Sequence, residues 1–436
     1  MTEIQRQLNI RHVLAIIIGT VIGSGVFINL PVVQQATGSP ILASVAWLIG
    51  GLLWLPQIFI LAEMGTAYPA QGFGYLYLRK AGSPFLGFLY VWTVFWTSDT
   101  PSITILAVSA VAALEVFQPV LADSIWTKLL ATVLIIAMTA VHYRSVRQGG
   151  RLQFVLTILK ISPLILLAII GFFFIDSPHL FTRPLIDLPK SWFVLVLAGI
   201  SGTVWSYAGF PNVLYMAGEI KNPGKVLPKA LIGSTIFVTI TYTLVAFATG
   251  AIVPHQELVS YVGTFANPFK YFPVLSSIAA GFLAIAAFVS MVGCANACIM
   301  VQPRIQYAIA RDGLFFKSFG YLHPKYKTPS NSLLYQSGLA IILVFVGGIE
   351  DLLGYFTLSY LLQNLLVYGA IFWLKKRDDY SPTYRAPRWK LMAILAIGIQ
   401  IALLVGTFMA FPLGGVLAAA GLILTGLPVY LFFRES

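Results

Sequence analysis

Several residues stand out in the apolar runs of this sequence because their types and spacing could do chemistry there. The first group is the run Gly19-Thr20-Val21-Ile22-Gly23-Ser24-Gly25. Glycines let a helix unwind. The half-helix that follows then points free N–H groups and its positive dipole end into the break, which suits a carboxylate. The half-helix before it ends in free carbonyls, which suit an ammonium group. Gly19 and Gly23 also have the small-xxx-small spacing of a helix-packing face, so a packing reading stands beside the binding one. The second group is Trp205-Ser206-Tyr207-Ala208-Gly209-Phe210-Pro211, where glycine and proline interrupt another apolar run. Carbonyls from Trp205 to Ala208 could face the same ammonium group, and Trp205 could cap the site. The structural alternative is an aromatic residue in a crowded helix contact.

Isolated charges form the third group. Lys160 lies inside an apolar run. Intramembrane charges are costly and usually face the bundle interior. Lys160 is therefore read as an internal cation standing in for a coupling ion, with snorkelling to the surface as the alternative. Asp99, in Trp96-Thr97-Ser98-Asp99-Thr100-Pro101-Ser102, needs a partner at mid-depth, either a cationic part of a substrate or Lys160. Pro101 removes a backbone N–H and opens that helix as well. Glu63, near the end of its run, is read as a gate or loop contact. Gly218 and Gly224-Lys225 only imitate a phosphate loop: five residues separate the glycines, and Val226 stands where Ser or Thr is needed. Cys294 and Cys298 are one helical turn apart in an apolar run, too few for a structural zinc site. No cofactor is expected.

The elements that must position these residues follow from composition. Of 436 residues, 58% are apolar and only 10% charged, with mean hydropathy +0.86. That excludes an ordinary soluble domain, where charged residues make up roughly 25%. A spanning helix needs about 20 apolar residues. Twelve candidate stretches run over residues 12–35, 41–66, 84–115, 125–142, 151–175, 192–217, 229–252, 273–303, 332–348, 351–374, 390–411 and 413–433. The longest polar gap, 304–331, reads as a loop. The expected class is an all-α membrane protein of twelve transmembrane helices in one domain, 1–436. With the N-terminus in the cytoplasm, 22 of the 27 Lys and Arg fall on the cytoplasmic side and four outside, with Lys160 within a helix. This excess predicts a multi-pass protein of the cytoplasmic membrane with both termini cytoplasmic. The net charge of +12 is thus topological, with no nucleic-acid partner implied. Five spans in 12–176 and five in 192–375 would be inverted repeats, with 390–433 appended. Glycine or proline breaks at matching places in two such halves point to a transporter's binding site.

At these breaks the sequence resembles the amino acid–polyamine–organocation superfamily, and its L-type amino acid transporter branch in particular. The resemblance rests on GTVIGSGVFI (19–28), WSYAGF (205–210), GEIKNP (218–223) and Lys160, and spans nearly the whole chain. It implies a fold of five plus five inverted helices with discontinuous first and sixth helices. By resemblance Ser24 and Gly25 bind the substrate carboxylate, with Gly23 in the same break. Val21, Trp205 and Ala208 supply carbonyls to the amine, Tyr207 and Gly209 adjoin them, and Trp205 is the aromatic gate. Lys160 falls near where related carriers bind sodium, which implies sodium independence. The branch often has two glycines after the tyrosine, where this chain has Ala208-Gly209. No cysteine lies in an outer loop, so no disulfide-linked heavy chain is expected. WTSDTPSI (96–103), YMAGEIKNPGK (215–225), LGYFTL (353–358) and KKRDDYSPTYRAP (375–387) look like the bacterial fructoselysine (glycated amino acid) permeases. Asp99 matches a polar residue that contacts a guanidinium in similar arginine-exchanging members.

The expected function is secondary transport of an amino acid or derivative across the membrane by alternating access, whether by exchange, uniport or proton symport. A channel would favour a filter sequence, and none is visible. A membrane-embedded enzyme would need histidines converging within the spans, whereas the five in this chain lie at helix ends.

Overall fold

The computed structural model describes residues 4–23, 25–122, 124–181, 191–262, 266–272, 276–346, 349–410 and 413–435. In these the chain is helical, with no strand beyond two isolated bridges, Leu8 to Ile220 and Gln71 to Met216. Ser24, Arg183 and Lys190 lie outside the described residues.

Helices occupy the apolar stretches. The first stretch splits into α1 (Ile10–Val21) and α2 (Gly25–Thr37), bent by 47° at the break. The second is α3 (Pro40–Leu52) and α4 (Leu55–Ala67), followed by the short α5 (Phe73–Lys80). In the third, α6 (Pro84–Val94) passes through a π-helical turn, Phe95–Asp99, into α7 (Thr100–Ala112). Next come α8 (Ile125–Arg144) and α9 (Val146–Gly171). The sixth stretch begins as α10 (Trp192–Thr203), and α11 (Pro223–Ile252) and the short α12 (His255–Ser260) follow. The remaining helices are α13 (Ala279–Val301), α14 (Pro303–Arg311), α15 (Ser330–Val346), α16 (Ile349–Leu374), α17 (Trp389–Ala410) and α18 (Leu413–Glu435). By length and apolarity alone, five described helices can cross a bilayer, or six if the bent pair α1–α2 is one span.

Three local features depart from the sequence expectation. After Thr203 the sixth stretch does not resume as an α-helix. It continues as 3-10 turns over Val204–Tyr207, Phe210–Tyr215 and Ala217–Glu219, because Gly209 sits at φ +115° and Pro211 follows it. Pro101 does not open its helix. The missing N–H is accommodated by the wider turn at Phe95–Asp99, and the helix runs on. Residues 304–331 are not all loop, since Pro303 starts α14 directly after α13.

The core gathers on α1, which packs against α9, α11 and α13. Around it α3 packs on α10 and α11, α7 on α13 and α15, and α8 on α13. Gly19 permits the close approach of α1 and α9, because a Cβ there would stand 1.9 Å from Gln153 Nε2. The packing reading of Gly19 is therefore the one the fold uses.

One end of the bundle is tied by buried ions. Glu219 and Arg304 pair at 2.9 Å with each side chain 1% exposed. The Glu219 carbonyl accepts from the N–H groups of Gln7 and Leu8, and Lys221 N–H donates to Leu8 O, so the N-terminal segment is strapped to the turn before α11. Glu63 is a loop contact. It is fully buried, pairs with Lys375 and accepts from Tyr380 Oη (3.2 Å) and Ala386 N (2.9 Å). The segment between α16 and α17 is thereby fastened to α4. In the same segment exposed Asp379, held far below the usual carboxylate range mainly by Lys80 and then Arg377, accepts from Tyr68 Oη at the end of α4.

Breaking a buried ion pair strands the partner charge and costs about 3–5 kcal/mol. Glu219→Gln is expected to lower the thermal unfolding midpoint in detergent clearly. Glu219→Gln with Arg304→Met should recover part of the loss, and a double variant no better than the single would argue against the pair.

Candidate functional site

The break in α1 leaves a run of main-chain carbonyls with no helical partner, and each must find a donor at this depth. Lys160 Nζ donates to Gly19 O (2.7 Å) and Ile22 O (2.5 Å). Cys294 Sγ donates to Thr20 O (3.3 Å), Tyr242 Oη to Val21 O (3.3 Å), and Ser290 Oγ to Gly23 O (3.1 Å) and Ile22 O (3.3 Å). All five carbonyls from Gly19 to Gly23 are thus held by side chains from α9, α11 and α13. Lys160 is fully buried. Because α9 begins at Val146, Lys160 is fourteen residues in, roughly 21 Å at 1.5 Å per residue. Snorkelling is excluded by that depth. Among the described residues no ion pair joins Lys160 to Asp99.

The two breaks cross. Thr20 Oγ1 donates to Gly209 O (3.0 Å), and Asn29 Nδ2 to Ser206 Oγ (2.9 Å). A Cβ on Gly209 would stand 2.7 Å from Thr20 O, and one on Gly25 would stand 2.9 Å from Ser206 Cα. Each break therefore needs a glycine where the other passes over it.

Beside the crossing lies an internal cavity of about 140 Å³, on a measure by which one water needs about 10–15 Å³. It has room for a small organic molecule. Val21, Gly23, Gly25, Ala208 and Gly209 line it from the breaks, and Asp99 lines it from the π-helical turn. Asp99 is buried. Its Oδ1 accepts a long bond from Ser98 (3.4 Å), its Oδ2 has no hydrogen-bond partner, and the Tyr215 side chain stands beside the carboxylate. Across the cavity, α16 contributes Gln363 and Asn364, whose Nε2 and Nδ2 are also buried without partners. Gln302 closes another side and donates to Ser102 Oγ (3.1 Å).

The remaining sequence-read residues fall elsewhere. Tyr207 does not reach the cavity. Its hydroxyl donates to Trp47 O (2.8 Å), and its ring packs with those of Trp47 and Tyr242 at 5.8 and 5.2 Å between centroids. The reason is Gly209, whose left-handed turn carries the chain into the cavity only after Tyr207. Lys160 is behind the α1 break and does not line the cavity. Of Trp205 the structure describes the backbone, in the turn Val204–Tyr207, but not the side chain.

Gln363, Asn364, Tyr215 and Asn212 also line the cavity and were not read from the sequence. Only Gln363-Asn364 carried a signal, as adjacent amides in an apolar run. Among the described residues no group of three or more His, Cys, Asp or Glu is placed to hold a metal ion.

The crossing sets two substitution outcomes. Gly209→Ala is expected to cut substrate uptake by more than tenfold, since it adds strain of order 1–3 kcal/mol on top of the clash with Thr20. Lys160→Leu strands the buried Gly19 carbonyl, at about 1–3 kcal/mol, and leaves Ile22 O with only the longer bond from Ser290. It should lower both uptake and thermal stability, whereas Lys160→Gln, which can serve one carbonyl, should fall between. Normal uptake by either the Gly209 or the Lys160→Leu variant would remove the crossing from the mechanism.

Comparison with known proteins gives the chain's family. The chain is 28% identical over 437 residues to the serine/threonine exchanger SteT of Bacillus subtilis (strain 168), covering 98% of this chain and 96% of that one. It is 27% identical over 440 residues to the b(0,+)-type amino acid transporter 1 of Mus musculus, covering 99% and 88%. With the Asc-type amino acid transporter 1 of Mus musculus the identity is 25% over 448 residues, covering 99% and 82%. The amino acid permease family matches residues 8–433, almost the entire sequence. A helical, apolar chain with two helix breaks crossing beside a small cavity, matched over that length, belongs to the amino acid permease family.

Proposed function

We propose that this permease exchanges amino acids across the cytoplasmic membrane by alternating access, without sodium. The observation that carries the reading is the crossing of the two breaks beside a mainly apolar cavity that carries a few polar groups. The first turn of α2 presents helix N–H groups at Gly25, where a substrate carboxylate would bind, with Gly23 also lining the cavity. Ser24, outside the described residues, is proposed with them from its place in the sequence. The amine would sit against main-chain carbonyls near Val21 and Ala208. Val21 O already accepts from Tyr242, so the turn after Trp205 supplies the freer carbonyls. Trp205 would gate the site. A sodium ion needs a cluster of oxygen ligands, and here the ammonium of Lys160 already occupies the carbonyls at the end of α1. That supports sodium-independent transport.

The packing supports two inverted five-span repeats within twelve spans, and the excess of Lys and Arg on one side supports cytoplasmic termini. Matching contacts exchange between the halves: α1 on α11 corresponds to α10 on α3, α8 on α13 to α15 on α7, and α9 on α11 to α16 on α4. Both cysteines are buried and free, which supports a carrier with no disulfide-linked heavy chain.

The side-chain end of the site favours a second, narrower reading. Asp99 Oδ2, Gln363 Nε2 and Asn364 Nδ2 are buried polar atoms without partners. Such groups cost free energy unless a ligand satisfies them. A hydrocarbon side chain would not. A hydroxyl-rich one would, since it both donates and accepts. A cationic one would satisfy Asp99 but not the two amide N–H groups, and a glycated lysine such as fructoselysine carries both kinds of group. The serine/threonine exchanger is named for hydroxyl-bearing substrates.

The test is counterflow in proteoliposomes loaded with alanine, leucine, serine, lysine, arginine or fructoselysine, each with its own labelled form outside. Accumulation is expected for at least one, unchanged when sodium is replaced by choline. No accumulation of any would remove the substrate class. Asp99→Asn should reduce uptake of lysine or fructoselysine at least tenfold and spare alanine. Equal loss for every substrate would make Asp99 structural.

A further inference from the structure

The start of α9 carries a charge pattern that transport does not use. On its buried side Gly150, Gln153, Thr157 and Lys160 face the interior, and Gln153 and Thr157 bond Ala15 O of α1 at 3.4 and 3.0 Å. On its exposed side the order is Arg147, Arg151, Phe154, Val155, Ile158 and Leu159. Two cations are followed, further along the same face, by four apolar side chains between 39% and 53% exposed. This face meets the start of α1 in a concavity lined by Arg11, His12, Arg147, Arg151, Phe154 and Val155. Among the described residues no ion pair engages Arg11, Arg147 or Arg151.

We propose that this concavity binds the phosphate headgroup of an anionic phospholipid, with its acyl chains along Phe154, Val155, Ile158 and Leu159. Guanidinium groups match phosphate oxygens in paired hydrogen bonds. Basic pockets between membrane helices bind anionic headgroups on the side where basic residues gather. Positive charge at a membrane end alone requires no concavity and no shared site between two helices. Here three arginines from α1 and α9 converge on one. A free phosphate would account for the arginines but not for the apolar face that continues from them. A bound lipid would bridge the starts of α1 and α9, the two helices that Lys160 joins deeper in the bundle.

The experiment uses the full chain in detergent, titrated with phosphatidylglycerol or phosphatidylcholine and read by native mass spectrometry. Wild type is expected to bind phosphatidylglycerol in preference. Arg147→Gln with Arg151→Gln should weaken that binding about 30-fold, from roughly fivefold per cation removed. Lys317→Gln with Lys325→Gln removes the same charge from an exposed loop and should change it less than threefold. Arg11→Gln, on the other helix, should weaken binding about fivefold and reads the same site if the double variant does not fold. Inorganic phosphate at equal concentration should not displace the lipid. Wild-type affinity in the Arg147/Arg151 and Arg11 variants would overturn the site. So would an equal loss in the lysine pair, which would mean charge alone, or displacement by phosphate, which would mean a free-anion site.

Discussion

The structure depends on satisfying the main-chain carbonyls that the broken first helix sets free. In lipid no water can serve them, and an unpaired buried carbonyl costs about 1–3 kcal/mol. Five consecutive carbonyls, Gly19 to Gly23, would make the break prohibitive if left bare. The chain meets this with four side chains from three helices: Lys160, Tyr242, Ser290 and Cys294. Lys160 matters most, since an ammonium group bonds two carbonyls and brings a full charge to the negative end of the half-helix. The helices that hold the break are therefore also the helices that pack around it.

Once the first break is held, the second can cross it. Gly209 and Gly25 allow the backbones to approach more closely than any side chain would permit. Thr20 bonded to Gly209 couples the two helices directly. A movement of either break must then move the other or break that bond. The cavity opens where the crossing leaves backbone exposed, so its recognition surface is part main chain and part side chain. Main chain suits the groups all amino acids share. On the proposed reading, Asp99, Gln363 and Asn364 would meet the part that differs between them.

The buried ties at one end serve a different need. Glu219 with Arg304, and Glu63 with Lys375, fasten the N-terminal segment and the α16–α17 connection to the bundle. An isolated buried ion pair adds little net stability, because desolvation offsets its attraction. Its value here is register. Glu63 with Lys375 forms only when the end of α16 docks on α4, and Glu219 with Arg304 only when α14 lies against the turn before α11; any other arrangement strands a charge.

Much of this was legible in the sequence. Twelve apolar stretches, the two breaks and the isolated Lys160 and Asp99 are local facts of composition and spacing, and hydropathy is read reliably because lipid allows a spanning backbone little besides a helix. The role of Glu63 as a loop contact was legible too, because a carboxylate near a helix end needs a nearby partner. Other features required the fold. That Pro101 is absorbed by a π turn, and that the chain after Tyr207 turns by 3-10 geometry, depend on how neighbouring helices take up freed backbone groups. Tyr207 reads as a cavity residue by its place in the motif, yet its side chain fills a space between Trp47 and Tyr242 that only packing creates. Gln363 and Asn364 face Asp99 because α16 comes to lie opposite the third apolar stretch, a pairing of positions more than 260 residues apart that no local pattern encodes. The sequence by itself determined that the chain is helical, apolar and broken at two places. Tertiary structure decided which donors hold the break, which glycines are crossings, and which polar atoms are left facing the cavity.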